Sequence, residues 1–154
     1  MRKHLINRLP KRRGQSLVEM ALFLMIILFV LGGAVNFGIG YFSYVAIRDA
    51  AQEGAIYASI HPPYDGAAET AIRYRVKNSA SPYPVDLQAL PASNISIVAD
   101  EGTEAGRPIS ITVTYNYQLT LPFITLLIGT NSCGACIPLH ATATGVILVN
   151  PPTP

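Results

Sequence analysis

From Met20 to Ile47 the chain holds 28 consecutive positions without Asp, Glu, Lys, Arg or His. The residues are mostly Ala, Leu, Ile, Phe, Val and Gly. In a helix they would extend roughly 42 Å, more than the ~30 Å hydrocarbon core of a bilayer. The run therefore predicts a membrane-spanning helix. Glu19 stands at its mouth, where an ionised carboxylate is costly unless it finds a partner or water. Within the run Gly32, Asn36 and Gly40 recur every four residues and so share one helix face. Small residues there admit a second backbone, and Asn36 can hydrogen-bond across the contact. Glycine is also common in membrane helices without that role. Tyr41 and Tyr44 suit the outer water interface, where amphipathic rings collect.

The helical pattern continues beyond the uncharged run. Ala46, Ala50, Gly54 and Ala58 repeat at four-residue intervals, a smooth stripe suited to a sheet or a sister helix, while Arg48, Asp49, Gln52 and Glu53 face water. Pro62-Pro63 ends the helix, which is expected over about Ser16 to Ile60. Asp65 caps a second helix, Gly66 to Lys77, with Ala68, Ile72 and Val76 on one face. Ser81-Pro82-Tyr83-Pro84 reads as an extended connector.

Three strands follow. Residues 94–99 alternate through Ile95 and Ile97. Ile109 to Thr120 alternates strictly, with Ile109, Ile111, Val113, Tyr115, Tyr117 and Leu119 against Ser, Thr, Asn and Gln, so one face is buried and one wet. Leu139 to Val149 is the third. Asp100 to Pro108 is a turn with two glycines, Phe123 to Ile128 a short apolar segment after the Pro122 break, and Pro151 to Pro154 a loose end. The expected fold is α+β: one long helix, membrane-spanning in its first half, packed on a small antiparallel sheet of about three strands.

Charge sharpens the plan. Of 11 Lys and Arg, six precede Gly14 (Arg2, Lys3, Arg8, Lys11, Arg12, Arg13), where no acid occurs, so the remainder carries about −4. Basic residues flanking an apolar run stay on the cytoplasmic side. The N-terminus is thus expected inside, in the cytoplasm, and the C-terminal domain outside. The division is a basic leader over 1–14, a transmembrane helix over 15–47 and an extracytoplasmic α+β domain over 48–154. A secretory signal peptide has about 7–15 apolar residues in its core, half of what is present here. So short a basic cluster without interleaved aromatics does not read as a nucleic-acid site.

Candidate chemistry is sparse. Cys133 and Cys136 are the two cysteines; outside the cytoplasm they favour a small disulfide before the last strand. Zinc would need four ligands, and only His140 is near. His61 and His140 have no nucleophile beside them in a recognisable motif, and Asp100, Glu101 and Glu104 lack the spacing of a calcium loop. No catalytic residue, metal site or cofactor is assigned, and the chain does not read as an enzyme.

The junction Arg12-Arg13-Gly14-Gln15-Ser16-Leu17-Val18-Glu19-Met20 is the most specific motif. A basic leader ends in Gly14, and Glu19 follows five residues later at the threshold of the apolar helix. This resembles the processing site of type IV pilin-like precursors and, more narrowly, the TadE-like family of minor pseudopilins in tight-adherence (Flp) pilus systems, over Arg12 to Ser59. Major Flp pilins have Glu-Tyr where this chain has Glu19-Met20, and they are far shorter, which favours a minor component. The resemblance implies cleavage between Gly14 and Gln15 by a prepilin peptidase. It also implies residence in the inner membrane, and partnership with other pilins and an inner-membrane assembly platform. Glu19 would then pair with the new α-ammonium of a neighbouring subunit and set axial register, whereas the plainer reading leaves it solvated among headgroups. The rival to the whole scheme is an unprocessed, single-pass anchored protein whose outer domain binds a ligand or partner.

Overall fold

The computed structural model describes residues 13–79, 84–119 and 136–150. Helix α1 spans Arg13–Ile60 and helix α2 Gly66–Lys77; a 3₁₀ turn, Ala92–Asn94, leads into strand β1, Ile95–Val98, followed by β2, Pro108–Gln118, and β3, Cys136–Val146. The chain divides into two compact units, residues 1–35 and 36–154, with α1 running through both. Of the sequence expectations, most of the leader, most of the Ser81–Pro84 connector, the Phe123–Ile128 segment, Cys133 and the Pro151–Pro154 end lie outside the described residues.

In the second unit the strands form one antiparallel sheet in the order β1-β2-β3. Ile95 pairs with Val113, and Pro108 to Gln118 pair with Val146 to Cys136. The period-two pattern of β2 works as expected: Ile109, Ile111 and Val113 are fully buried, and Tyr117 nearly so. The other face is polar, where Thr112 meets Thr142 Oγ1 to Oγ1 at 2.9 Å and Thr114 Oγ1 lies 3.1 Å from His140 Nδ1.

Against the apolar face lies the small-residue stripe of α1. Ala50 and Ala58 are fully buried, Ala46 partly, and Ile47, Ala51 and Ala55 join them in one core with Ile72 and Val76 of α2. Gly54 is the tightest point: a Cβ there would stand 2.4 Å from Val76 Cγ2 and 3.3 Å from Ile111 Cδ1. Gly145 of β3 is nearly as close, its missing Cβ 3.2 Å from the Ala55 carbonyl oxygen. Val85, Leu87 and Leu90 close the core from the segment before β1.

Polar ties hold α2 in place. The Asp65 carboxylate accepts from the Ala68 N–H at 2.6 Å, the N-cap expected from sequence. Arg73 donates to the carbonyls of Ala92 and Ile95, joining α2 to the entry of β1. Arg75 meets Glu53 of α1 at 2.7 Å; both are partly exposed, so the pair contributes only about 0.2–1 kcal/mol. In the acidic turn Gly102 and Gly106 have φ of 106° and 91°, and Arg107 pairs with Glu101 at 3.3 Å.

The third strand differs from its expected Leu139–Val149 bounds. As described it spans Cys136–Val146, starting three residues before the expected Leu139 and including Pro138, which lies opposite Asn116. It ends at Val146: Ile147 N–H still donates to the Arg107 carbonyl at 2.9 Å, in register with β2, but Leu148 N–H turns away to the Ser59 carbonyl at 2.7 Å.

Replacing Gly54 by Ala should lower the stability of the second unit by about 1 kcal/mol, the overpacking cost of ~1–3 kcal/mol exceeding the gain in helix propensity of up to ~1 kcal/mol. Thermal unfolding of the full chain in detergent, followed by tyrosine near-UV circular dichroism, measures this.

Candidate functional site

The residues singled out at the start of the chain belong to the first unit. Gly14 and Gln15 lie within α1 as described, Arg13–Ile60. Nothing stands within 4 Å of the position a Gly14 Cβ would take. Glu19 is exposed, and its Oε1 accepts from Gln15 Nε2 at 3.5 Å, one helical turn back.

Beyond Glu19 the helix offers lipid-compatible surface on every side. Its most apolar 18-residue window has a mean hydropathy of 2.5 and none of it is buried in the fold. Leu17, Met20 and Phe23 are each at least two-thirds exposed, and Leu24 to Leu31 are exposed throughout. A helix apolar all round requires an apolar surrounding. One such helix, near the N-terminus, fits a single-pass membrane protein.

The expected packing face divides at the unit boundary. Gly32 is half-buried in the first unit. Asn36 and Gly40 belong to the second, and there they face the strand β2 residue Tyr117. The Tyr117 ring lies 3.4 Å from where a Gly40 Cβ would be. Its hydroxyl reaches back one helical turn, 3.1 Å from the Asn36 carbonyl oxygen and 3.3 Å from Asn36 Oδ1, and donates to this pair of acceptors. Asn36 is 7% exposed and so is Tyr117. Gly40 thus makes room for an aromatic ring of the chain's own sheet. Farther along, Ala46, Ala50 and Gly54 pack on that sheet and on α2. Ser43, fully buried, donates its hydroxyl to the Ile39 carbonyl at 2.9 Å, satisfying itself within the helix.

Tyr117 is the residue that the sequence did not single out. It lies 81 positions from Asn36, and its only local signal was a polar tip at an inward position of the alternating strand. A buried hydroxyl and a buried amide both need partners, which is what brings them together.

The remaining candidates stay apart. Cys136 is disulfide-bonded; Cys133 lies outside the described residues. His61 stacks on Tyr57, ring centroids 4.3 Å apart, and His140 faces Thr114 on the polar side of the sheet. Among the described residues no three His, Cys, Asp or Glu side chains gather where a metal ion could bind.

Residues 14–55 match the family model described as TadE-like protein, a stretch lying wholly within α1. No curated protein and no solved structure matches the chain.

Replacing Tyr117 by Phe should destabilise the second unit by about 1 kcal/mol through the lost hydrogen bond, and by Ala about 3–5 kcal/mol. Hydrogen exchange should show faster turnover of the amides from Asn36 to Ile47 in both variants, more so in the alanine form.

Proposed function

We propose, from the premise that this chain is a TadE-like protein through residues 14–55, that it is a minor pseudopilin-like structural subunit of a tight-adherence pilus assembly or secretion system. The TadE-like family is associated with Tad pili and its role is structural. The finer reading is supported chiefly by one arrangement: Gly14, Gln15 and Glu19 head a helix whose following apolar surface is exposed on all sides.

In this reading a prepilin peptidase hydrolyses the Gly14–Gln15 bond. The leader departs with its six cationic side chains and a new carboxylate on Gly14, and Gln15 acquires an α-ammonium. Without those cations at the cytoplasmic face, the helix can be drawn outward through the bilayer at lower cost. Glu19, which accepts from the Gln15 side chain in the uncut chain, then pairs with the Gln15 ammonium of an adjoining subunit. Desolvation offsets most of the Coulomb gain of such a pair, so its effect is on axial register more than on net stability. The partners are other pilins or pseudopilins along α1, the peptidase, and an inner-membrane assembly platform. The outer unit, from Asn36 onward, presents its surface to further subunits. The protein resides in the inner membrane with its N-terminus cytoplasmic.

Mass spectrometry of the protein from cells containing the peptidase should find an N-terminus at Gln15. A chain still beginning at Met1 would identify an unprocessed anchored protein. Glu19→Ala should abolish pilus assembly while leaving membrane insertion intact, and Glu19→Gln should fail equally, because the carboxylate charge is what recognises the ammonium. Assembly unimpaired in both variants would remove the registry role.

A further inference from the structure

We propose that the groove between α1 and α2 receives the segment Pro151-Pro152-Thr153-Pro154 of a second copy of this chain, joining second units tail to groove. The groove belongs entirely to the second unit, so the inference does not depend on cleavage at Gly14. Its volume is about 580 Å³, and it is lined by Tyr57 of α1 and by Ala67, Thr70, Ala71, Tyr74 and Arg75 of α2. Positions 67, 70, 71 and 74 are spaced as one helix face. Three small side chains thus make a floor, with one tyrosine contributed by each helix.

The groove is formed before anything enters it. The Tyr57 ring stacks on His61, with centroids 4.3 Å apart and planes inclined by 13°. Arg75 Nε and Nη2 meet Glu53 Oε1 at 2.8 and 2.7 Å, tying α2 to α1. Tyr74 is 70% exposed, so its ring offers apolar surface that the chain's own core leaves uncovered. Each tyrosine combines a flat apolar face with a hydroxyl able to donate. The complementary ligand is flat, apolar and rich in acceptors. Proline is all three: ring methylenes pack on aromatic faces, and with no N–H its backbone only accepts. Proline-rich segments dock in aromatic-lined grooves on these grounds, and their restricted backbone loses little entropy on binding.

Such a segment is present in the chain itself. Residues 151–154 are three prolines and a threonine, without charge. In polyproline II, with three residues per turn and a rise of about 3.1 Å, Pro151 and Pro154 share one edge roughly 9 Å apart. The point from which the segment departs is fixed, because Leu148 N–H donates to the Ser59 carbonyl and Asn150 Oδ1 accepts from Ala105 N–H at 2.8 Å. Leu148 lines the flank of α1 that carries Gln52, Ile56 and Ser59. At about 100° per residue, Tyr57 stands some 160° round the helix from Ser59, on the opposite flank. Four residues reach about 12 Å in polyproline II, the width of one helix and not the way round it. The groove that the segment fills is therefore a neighbour's. Tail and groove are different surfaces, so the contact is heterologous and repeats from copy to copy, an arrangement suited to a fibre.

The test places p-benzoylphenylalanine at Tyr74 in the full chain, reconstituted in phosphatidylcholine vesicles as an equal mixture of unlabelled and nitrogen-15-labelled protein. Irradiation should give a covalent dimer, and mass spectrometry should join residue 74 of one isotope to residues 149–154 of the other. Pro151→Ala with Pro154→Ala removes two ring methylenes at each position and should cut the dimer yield roughly tenfold or more. An excess of a synthetic peptide of residues 149–154 should suppress the dimer of the unsubstituted tail, a readout that no folding defect of a tail variant can mimic. Cross-links between 74 and the tail confined to a single isotope would put the segment in its own groove and overturn the proposal. So would cross-links only to other segments, no cross-link at all, or a yield that neither the alanines nor the peptide lowers. A chain that keeps its leader should give the same cross-links, so failure of the pseudopilin reading registers separately.

Discussion

The approach of helix α1 to its sheet is set by an atom that is absent. At Gly54 the backbone comes so close to Val76 and Ile111 that a methyl group would overlap the first and crowd the second. Ala50, Ala55 and Ala58 keep the same surface shallow on either side. Large β-branched residues of β2 fill the space the helix leaves, which is the complementarity a close-packed core requires. The positions of Tyr117, of α2 and of the edge strand all follow from this separation. With a bulkier stripe on α1, the Tyr117 hydroxyl would not reach the Asn36 carbonyl.

That hydrogen bond lies at the first residue of the second unit. An amide in an otherwise apolar helix must find a partner, and in a membrane helix the usual partner is another helix. Here the partner is a tyrosine of the same chain, seated over Gly40. The consequence for function is that this part of the small-residue face is already occupied. Under the proposed assembly role, contacts to other subunits through α1 would fall on its exposed apolar positions, Leu17 to Leu31 among them.

The electrostatics follow a complementary division. One helix passes from Glu19 to Arg48 without a charge, and the acids and bases of the second unit lie on the far half of α1, at the start of and along α2, at Asp86 and in the turn before β2. Glu19 stands among apolar neighbours, and among the described residues it accepts from the neutral amide of Gln15. A neutral donor at 3.5 Å does little to offset a carboxylate near hydrocarbon. Under the proposed processing, the α-ammonium of an adjoining subunit would supply this carboxylate with a cation.

Periodicity alone determined a good deal of this protein. The uncharged run fits a single membrane-spanning helix, the Ala-Gly stripe required a flat partner, and strict alternation over Ile109 to Gln118 required a half-buried antiparallel strand. Asp65 announced the start of α2 because a capping carboxylate three residues before an amide is a local matter. The tertiary structure decided what local patterns cannot carry. Pro138 stands inside a strand, opposite Asn116, and that placement shows only in the pairing with β2. Asn36 bonds a tyrosine 81 residues away, since a buried polar group specifies that a partner must exist and not which one. For the same reason hydropathy carries the apolar run on to Ile47, whereas packing gives residues 36–47 to the sheet: both environments exclude water, and only the fold distinguishes a lipid neighbour from a protein one.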